Sequence, residues 1–212
     1  MSELQKRIIT SFFLIVALYL SLINKSLLFV ALFSITFVII YEFSNIFFKI
    51  FKKNKFFNFI AISITHVYLI YFALTIWLFL NSNINDNKIL FLFIISISIA
   101  TDIGGYVFGK TFKGKKITKI SPNKTYSGMA GSFILSLLTS LIFVNKVNLS
   151  DNIFILTILL SLTSQIGDLF ISYLKRKANV KDTGKFLPGH GGLLDRIDGI
   201  LITLPVGLIL IF

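Results

Sequence analysis

The chain has no cysteine, and all 13 of its glycines and all 3 prolines lie from Gly104 onward. Without cysteine there is no disulfide framework, no thiolate metal site and no thiol nucleophile. Charge is scarce as well: 14% of the 212 residues, with 9 acids against 21 lysines and arginines and only 2 histidines. A soluble domain carries roughly a quarter of its residues charged, and a disordered tail needs far less apolar content. What the chain has in quantity is apolar surface, with 55% hydrophobic and 15% aromatic residues and a mean hydropathy of +0.86. It therefore reads as an integral membrane protein of one domain. In such a chain a net charge of +12 raises first the question of which bilayer face the lysines occupy, before any question of nucleic acid.

Crossing a hydrocarbon core of about 30 Å takes roughly 17 to 25 apolar residues. Seven runs approach this: Ile8–Ile23, Ser26–Phe48, Phe56–Leu80, Ile89–Phe108, Gly128–Val144, Ile153–Leu174 and Gly199–Phe212. The expected fold is an all-α polytopic bundle of about seven spanning helices, the first and last of them short. Lys6-Arg7 ahead of the first run has the outline of a signal peptide. No small-residue cleavage site follows, and Tyr19 and Asn24 stand where one would be, so the run is expected to be retained. With the N-terminus inside, 18 of the 21 basic residues fall in inner segments and only Lys25, Lys88 and Lys146 in outer turns. That bias predicts a cytoplasmic N-terminus. The absence of glycine and proline before Gly104 divides the chain by task, with residues 1–100 a scaffold of uninterrupted helices. Residues 101–212, with two basic cytoplasmic loops, form the working part, where backbone must turn tightly or approach a ligand.

Acidic groups are costly near a bilayer, so their positions inform. Glu42, Asp102, Asp168, Asp182, Asp195 and Asp198 all map to inner helix ends or inner loops. Asp102, in Ala-Thr-Asp-Ile-Gly-Gly-Tyr, and Asp168, in Ser-Gln-Ile-Gly-Asp-Leu, lie at similar depth in the fourth and sixth helices. Together they suggest a polar cavity open to the cytosol. Gln165, Asp168, Ser172 and then Lys175 or Arg176 recur at steps of three or four and share one helix face. A basic run follows, Lys175 through Lys185, which alone would also suit anionic lipid head groups. After it comes Pro188-Gly189-His190-Gly191-Gly192-Leu193-Leu194-Asp195-Arg196-Ile197-Asp198. Glycines beside a histidine free backbone N–H groups for an anion, and Asp195 and Asp198 are three apart at the start of the last helix. Carboxylates next to glycines and cations match a magnesium-bound polyphosphate.

These residues resemble the signature of the phosphatidate cytidylyltransferase, or CDP-diacylglycerol synthase, family. The stretch from Ser172 through Lys175-Arg176, Lys181-Asp182 and His190-Gly191-Gly192 to Asp195-Arg196 and Asp198 fills every fixed position of that signature. Gly167-Asp168-Leu169, Asp102-Ile-Gly-Gly-Tyr106 and Lys6-Arg7-Ile8-Ile9-Thr10 are similar to further family motifs. So is Ser121-Pro122-Asn123-Lys124-Thr125-Tyr126-Ser127-Gly128, with Asn123 in place of a lysine. The resemblance covers residues 102–199 well and the first hundred by pattern.

It implies an enzyme that joins CTP and phosphatidate into CDP-diacylglycerol and pyrophosphate, by attack of a lipid phosphate oxygen on the α phosphorus. Asp168 and Asp195, with Asp198, are the implied Mg2+ ligands, with room for a second cation. Lys175, Arg176, Lys181 and Arg196 would hold phosphates, while Ser172, Asp182 and His190 complete the catalytic set. Asp102, Ser121, Lys124, Thr125, Gly189, Gly191 and Gly192 are the implied substrate-binding residues. The expected partners are CTP, phosphatidate and the lipid bilayer, with a homodimer allowed for and no nucleic acid. The expected location is a bacterial-type inner membrane, with the active site facing the cytoplasm. The competing readings are another CTP-using lipid enzyme, such as a polyprenol or phytol kinase or an archaeol-type cytidylyltransferase, and a transporter. A transporter would be expected to break helices in two related halves, and the first half here has no breaker.

Overall fold

The structure, a computed structural model, describes residues 3–82, 86–118, 121, 124–147, 152–189 and 191–211. Among these the regular elements are seven α-helices: α1 (Glu3–Ile23), α2 (Lys25–Ile50), α3 (Lys55–Asn81), α4 (Asn87–Phe112), α5 (Tyr126–Ser140), α6 (Ile153–Lys177) and α7 (Leu194–Ile211). Each matches one apolar run of the sequence. Five of them, α1, α2, α3, α4 and α6, are long and apolar enough to cross a membrane. At 15 residues, α5 is about 22 Å long, and α7 carries Asp195, Arg196 and Asp198 in its first turns. The protein is a helical membrane bundle.

How the first half turns without glycine or proline is answered by asparagine. Asn24 ends α1 and caps α2, its side-chain oxygen accepting from the N–H groups of Ser26 at 2.9 Å and Leu27 at 3.3 Å. Asn54 does the same for α3, accepting from Phe57 N at 3.2 Å. An asparagine at the N-cap satisfies orphan helix donors, and at Asn24 the single residue between α1 and α2 does so.

The chain divides into two compact units. Unit 1 takes in α1–α3 and the segment Leu174–Ile197. Here α2 buries Ile39, Glu42, Phe43 and Ile46 along one face, the helical spacing of a packed stripe, and α1 and α3 both pack on α2. The opposite faces carry Phe12, Phe13, Phe33 and Phe37, all more than 60% exposed, as lipid-facing side chains are. His66 spends its Nδ1 on the Ile62 carbonyl of its own helix at 2.7 Å.

Unit 2 takes in Asn85–Tyr173 and Asp198–Phe212. Its helices meet at several points along small and hydroxyl residues, beside the buried Phe93, Ile94, Ile97 and Leu160, because in lipid close backbone approach and interhelical hydrogen bonds replace the hydrophobic effect. Ser98 and Ser164 bond at 2.8 Å, Thr101 donates to Ser161 at 2.9 Å, and Ser132 donates to the Thr101 carbonyl at 2.7 Å. A Cβ on Gly104 would strike the Gly131 carbonyl, one on Gly128 would lie 2.7 Å from the Gly105 carbonyl, and one on Gly131 would overlap the Phe108 side chain. Gly131→Val is therefore expected to separate α4 from α5 and cost on the order of 3 kcal/mol. Thermal unfolding in detergent checks this.

Four boundaries differ from the sequence expectation by four or five residues: α1 begins at Glu3 rather than Ile8, α4 runs on to Phe112 rather than Phe108, and the end of α5 and the start of α7 also move. Helix α5 stops at Ser140, because Ile142, Phe143 and Lys146 donate to carbonyls three residues back and the chain tightens into turns. The apolar residues there are used in packing, with Phe143 edge-on to Phe93 at 5.4 Å. Helix α7 begins at Leu194 rather than Gly199, because a carboxylate of α2 holds its first N–H groups.

Candidate active site

In unit 1 the segment after α6 turns back through Asn179, whose φ of 55° is left-handed, and closes on Asp195. Lys175 donates to Asp195 Oδ1 at 2.7 Å, with the two side chains only 13% and 8% exposed. Asp195 Oδ2 accepts from the N–H groups of Thr183 at 2.8 Å and Gly192 at 3.2 Å. Lys175 is half-buried, whereas Arg176, Lys181, Asp182 and Arg196 are exposed. The polar stripe of α6 thus continues through Lys175 rather than Arg176.

The glycine loop is already filled from within. Gly191 N donates to the Leu187 carbonyl at 3.2 Å, Gly192 N to Asp195, and Leu193 N and Leu194 N to Glu42 at 3.0 and 2.9 Å. The N–H groups of Gly191, Gly192, Leu193 and Leu194 are thus held by the protein's own acceptors. Gly189 and Gly191 have φ of 76° and 83°, which only glycine adopts without strain. The N-terminal helix also reaches this loop: Arg7 Nε donates to the Gly189 carbonyl at 2.9 Å and Thr10 to that of Pro188 at 3.2 Å. His190 lies outside the described residues.

In unit 2 Lys124 and Asp168 Oδ2 form a close ion pair, each side chain about a quarter exposed. Ser172 donates to Asp168 Oδ1 at 3.3 Å. Lys124 ends a turn from Ser121, its N–H donating to that residue's carbonyl at 3.1 Å. Next to it Thr125 is the N-cap of α5, accepting from Gly128 N at 3.1 Å, and its hydroxyl lies 3.0 Å from that of Ser127. Ser127 in turn donates to the Lys113 carbonyl. A hydroxyl has one proton, so this relay commits the Thr125 proton to Ser127. Asp198 is buried, its Oδ1 accepting from Gly199 N at 2.9 Å. Asp102 is exposed on α4.

A family profile for the cytidylyltransferase family matches residues 2–212. The chain belongs to the cytidylyltransferase family. Among the curated relatives of this chain are proteins named phosphatidate cytidylyltransferase. That of Rickettsia felis is 46% identical over 121 residues, covering 50% of this chain and 52% of its own length. That of Rickettsia prowazekii is 46% identical over 121 residues, covering 50% of this chain and 51% of its own length. That of Staphylococcus haemolyticus is 46% identical over 110 residues, covering 50% and 42%. The chain spans about half the length of the curated relatives it matches.

Among the described residues no three histidine, cysteine or acidic side chains come together. The chain offers no closed metal cage there. What it offers is hard oxygen donors on single aspartates, Asp168 beside Lys124 and Asp195 beside Lys175, with Asp198 buried. That donor set fits magnesium in its usual phosphate-dependent mode, one or two carboxylates with the other positions on water and phosphate oxygens.

Glu42 and Arg7, noted in the sequence as an inner acid and as part of a family-like motif but given no place at the site, are brought by the structure to the loop after α6. No short spacing links either to the loop it holds. The available signal for Glu42 was a lone acid inside an apolar run, which is costly unless it has partners.

Proposed function

We propose that this cytidylyltransferase transfers CMP from CTP to phosphatidate, giving CDP-diacylglycerol and pyrophosphate. The observation that carries the reading is the Lys175–Asp195 pair, held by Thr183 and Gly192 at the end of a membrane helix that continues into a basic run. Membership of the family and the names of its relatives support the choice of nucleotide and acceptor.

In the proposed reaction a phosphate oxygen of phosphatidate attacks the α phosphorus of CTP. The bond from that phosphorus to the bridging oxygen breaks, and its electron pair leaves on pyrophosphate. The lipid supplies the nucleophile, so the side chains position and neutralise rather than form bonds. Lys175, Arg176, Lys181 and Arg196 serve the phosphates in unit 1, and Lys124 does so in unit 2. Magnesium, when bound with the nucleotide at Asp168, Asp195 or Asp198, neutralises charge on the transferring phosphoryl group. Asp182 and Ser172 orient these carboxylates and their loops. The skew of 18 of 21 cations to one set of segments supports a cytoplasmic site at the inner leaflet.

The test is purified protein in mixed micelles with CTP and magnesium, offered phosphatidate, polyprenol or phytol in separate reactions, with mass spectrometry of the lipid fraction. CDP-diacylglycerol formed from phosphatidate alone is the expected result. A phosphorylated alcohol with release of CDP would make the protein a kinase and overturn the proposal.

A further inference from the structure

Glu42 lies in the apolar stripe of α2 between Ile39 and Phe43 and is 1% exposed. A carboxylate in that position is costly unless its oxygens are satisfied. Three donors satisfy it: Thr183 Oγ1 and Leu194 N on Oε2, at 2.7 and 2.9 Å, and Leu193 N on Oε1 at 3.0 Å. The two amides open α7, so the carboxylate meets the positive end of that helix as a bound anion would. Glycines make the room. A Cβ on Gly184 would lie 2.6 Å from Glu42 Oε1, and one on Gly192 would overlap Thr183 Oγ1 and come within 2.7 Å of Glu42 Oε2.

Thr183 carries the arrangement onward. Its hydroxyl is 3.1 Å from Asp195 Oδ2 and its N–H donates to the same oxygen at 2.8 Å. The hydroxyl has one proton and the nearer acceptor is Glu42, so Glu42 fixes Thr183 and Thr183 fixes Asp195.

We infer that Glu42 is a positioning residue for Asp195: an internal anion that occupies the N-terminus of α7 and, through Thr183, holds the 183–194 segment in its working shape. The inference rests on the proposed nucleotidyl transfer for its effect on rate. It gives an acid of the N-terminal half a share in the site. It also accounts for the glycines at 184 and 192 by the space a carboxylate needs.

The test compares E42Q, E42D and T183V with the wild type in transfer kinetics and, without substrate, in amide hydrogen exchange. Glutamine keeps the size but turns one acceptor into a donor that faces an N–H or a hydroxyl, whereas aspartate keeps the charge. Expected for E42Q is a fall in kcat on the order of 30-fold, with KM for phosphatidate changed less than about twofold. Exchange is expected to rise about tenfold over 183–194 and to stay unchanged over 126–140. T183V should reproduce the exchange pattern, and E42D should recover part of kcat. The inference is overturned if E42Q keeps kcat within about twofold, or loses it with exchange over 183–194 unchanged. It is equally overturned if exchange rises evenly through the chain and E42D recovers nothing. Should the wild type make no CDP-diacylglycerol, the proposed function fails, while the exchange data still judge the link from Glu42 to the loop.

Discussion

Replacing Asp195 by asparagine is expected to remove nucleotidyl transfer and to destabilise the fold. Asparagine has the shape of aspartate but one acceptor oxygen instead of two. If its amide nitrogen takes the place of Oδ2, it faces the N–H groups of Thr183 and Gly192; if it takes the place of Oδ1, it faces Lys175. The second orientation keeps two hydrogen bonds and leaves a largely buried ammonium without its counter-charge. Breaking such a pair from one side costs about 3 kcal/mol, and loss of the negative charge should lower the transfer rate at least on the order of 100-fold. The double variant K175M/D195N separates the two effects. It removes both charges, so it should regain much of the thermal stability lost in D195N while remaining inactive. Unfolding in detergent and transfer assays on the same preparations check both halves.

Asp168 should behave in the opposite proportion. Its ion pair with Lys124 is about a quarter exposed on each side, more open to solvent than Lys175–Asp195, and solvent screening should hold its contribution to about 1 kcal/mol. The Ser172 hydroxyl at 3.3 Å is a long bond and adds little. Asp168→Asn is therefore expected to leave the melting temperature nearly unchanged and to reduce transfer on the order of 100-fold. The swap D168K/K124D restores an ion pair without restoring the carboxylate on α6, so it should not restore activity. If the swap recovers the rate, Asp168 works only by tethering Lys124 and the loop before α5. Comparing D195N with D168N thus distinguishes a carboxylate that holds the fold from one that chiefly handles substrate.

Much of this was legible in the sequence, and the reasons are specific. Each of the seven helices coincides with an apolar run, because a run bounded by Asn24, Asn54 or a charged loop has few other ways to satisfy its backbone in lipid. The polar stripe of α6 was legible because residues at steps of three and four share a face, and Asp168 with Ser172 bears it out. The early end of α5 was not legible. Leu141 to Val144 is as apolar as the helix before it, and what turns the chain there is a set of backbone bonds and the packing of Phe143 on Phe93. The early start of α7 was hidden for a related reason: the N–H groups of Leu193, just before the helix, and Leu194, its first residue, are held by Glu42, 151 and 152 residues away in sequence. The glycines of the 189–192 loop were read as opening N–H groups to an outside anion. For Gly192, Leu193 and Leu194 the anions are Asp195 and Glu42 of the chain itself, a pairing that only the folded structure brings together.

The missing cysteines, the asparagine turns and the scarce acids fit one account, in which a small lipid-embedded bundle keeps a few carboxylates for phosphate chemistry. The most direct measurement of its central claim uses CTP labelled in parallel at the α or the γ phosphate, with phosphatidate and magnesium, followed by separation of lipid from water-soluble products. The account predicts α label in the lipid phase and γ label only in pyrophosphate, both dependent on phosphatidate. Label from the γ position in the lipid, or α label that stays in water with CTP consumed, would contradict it.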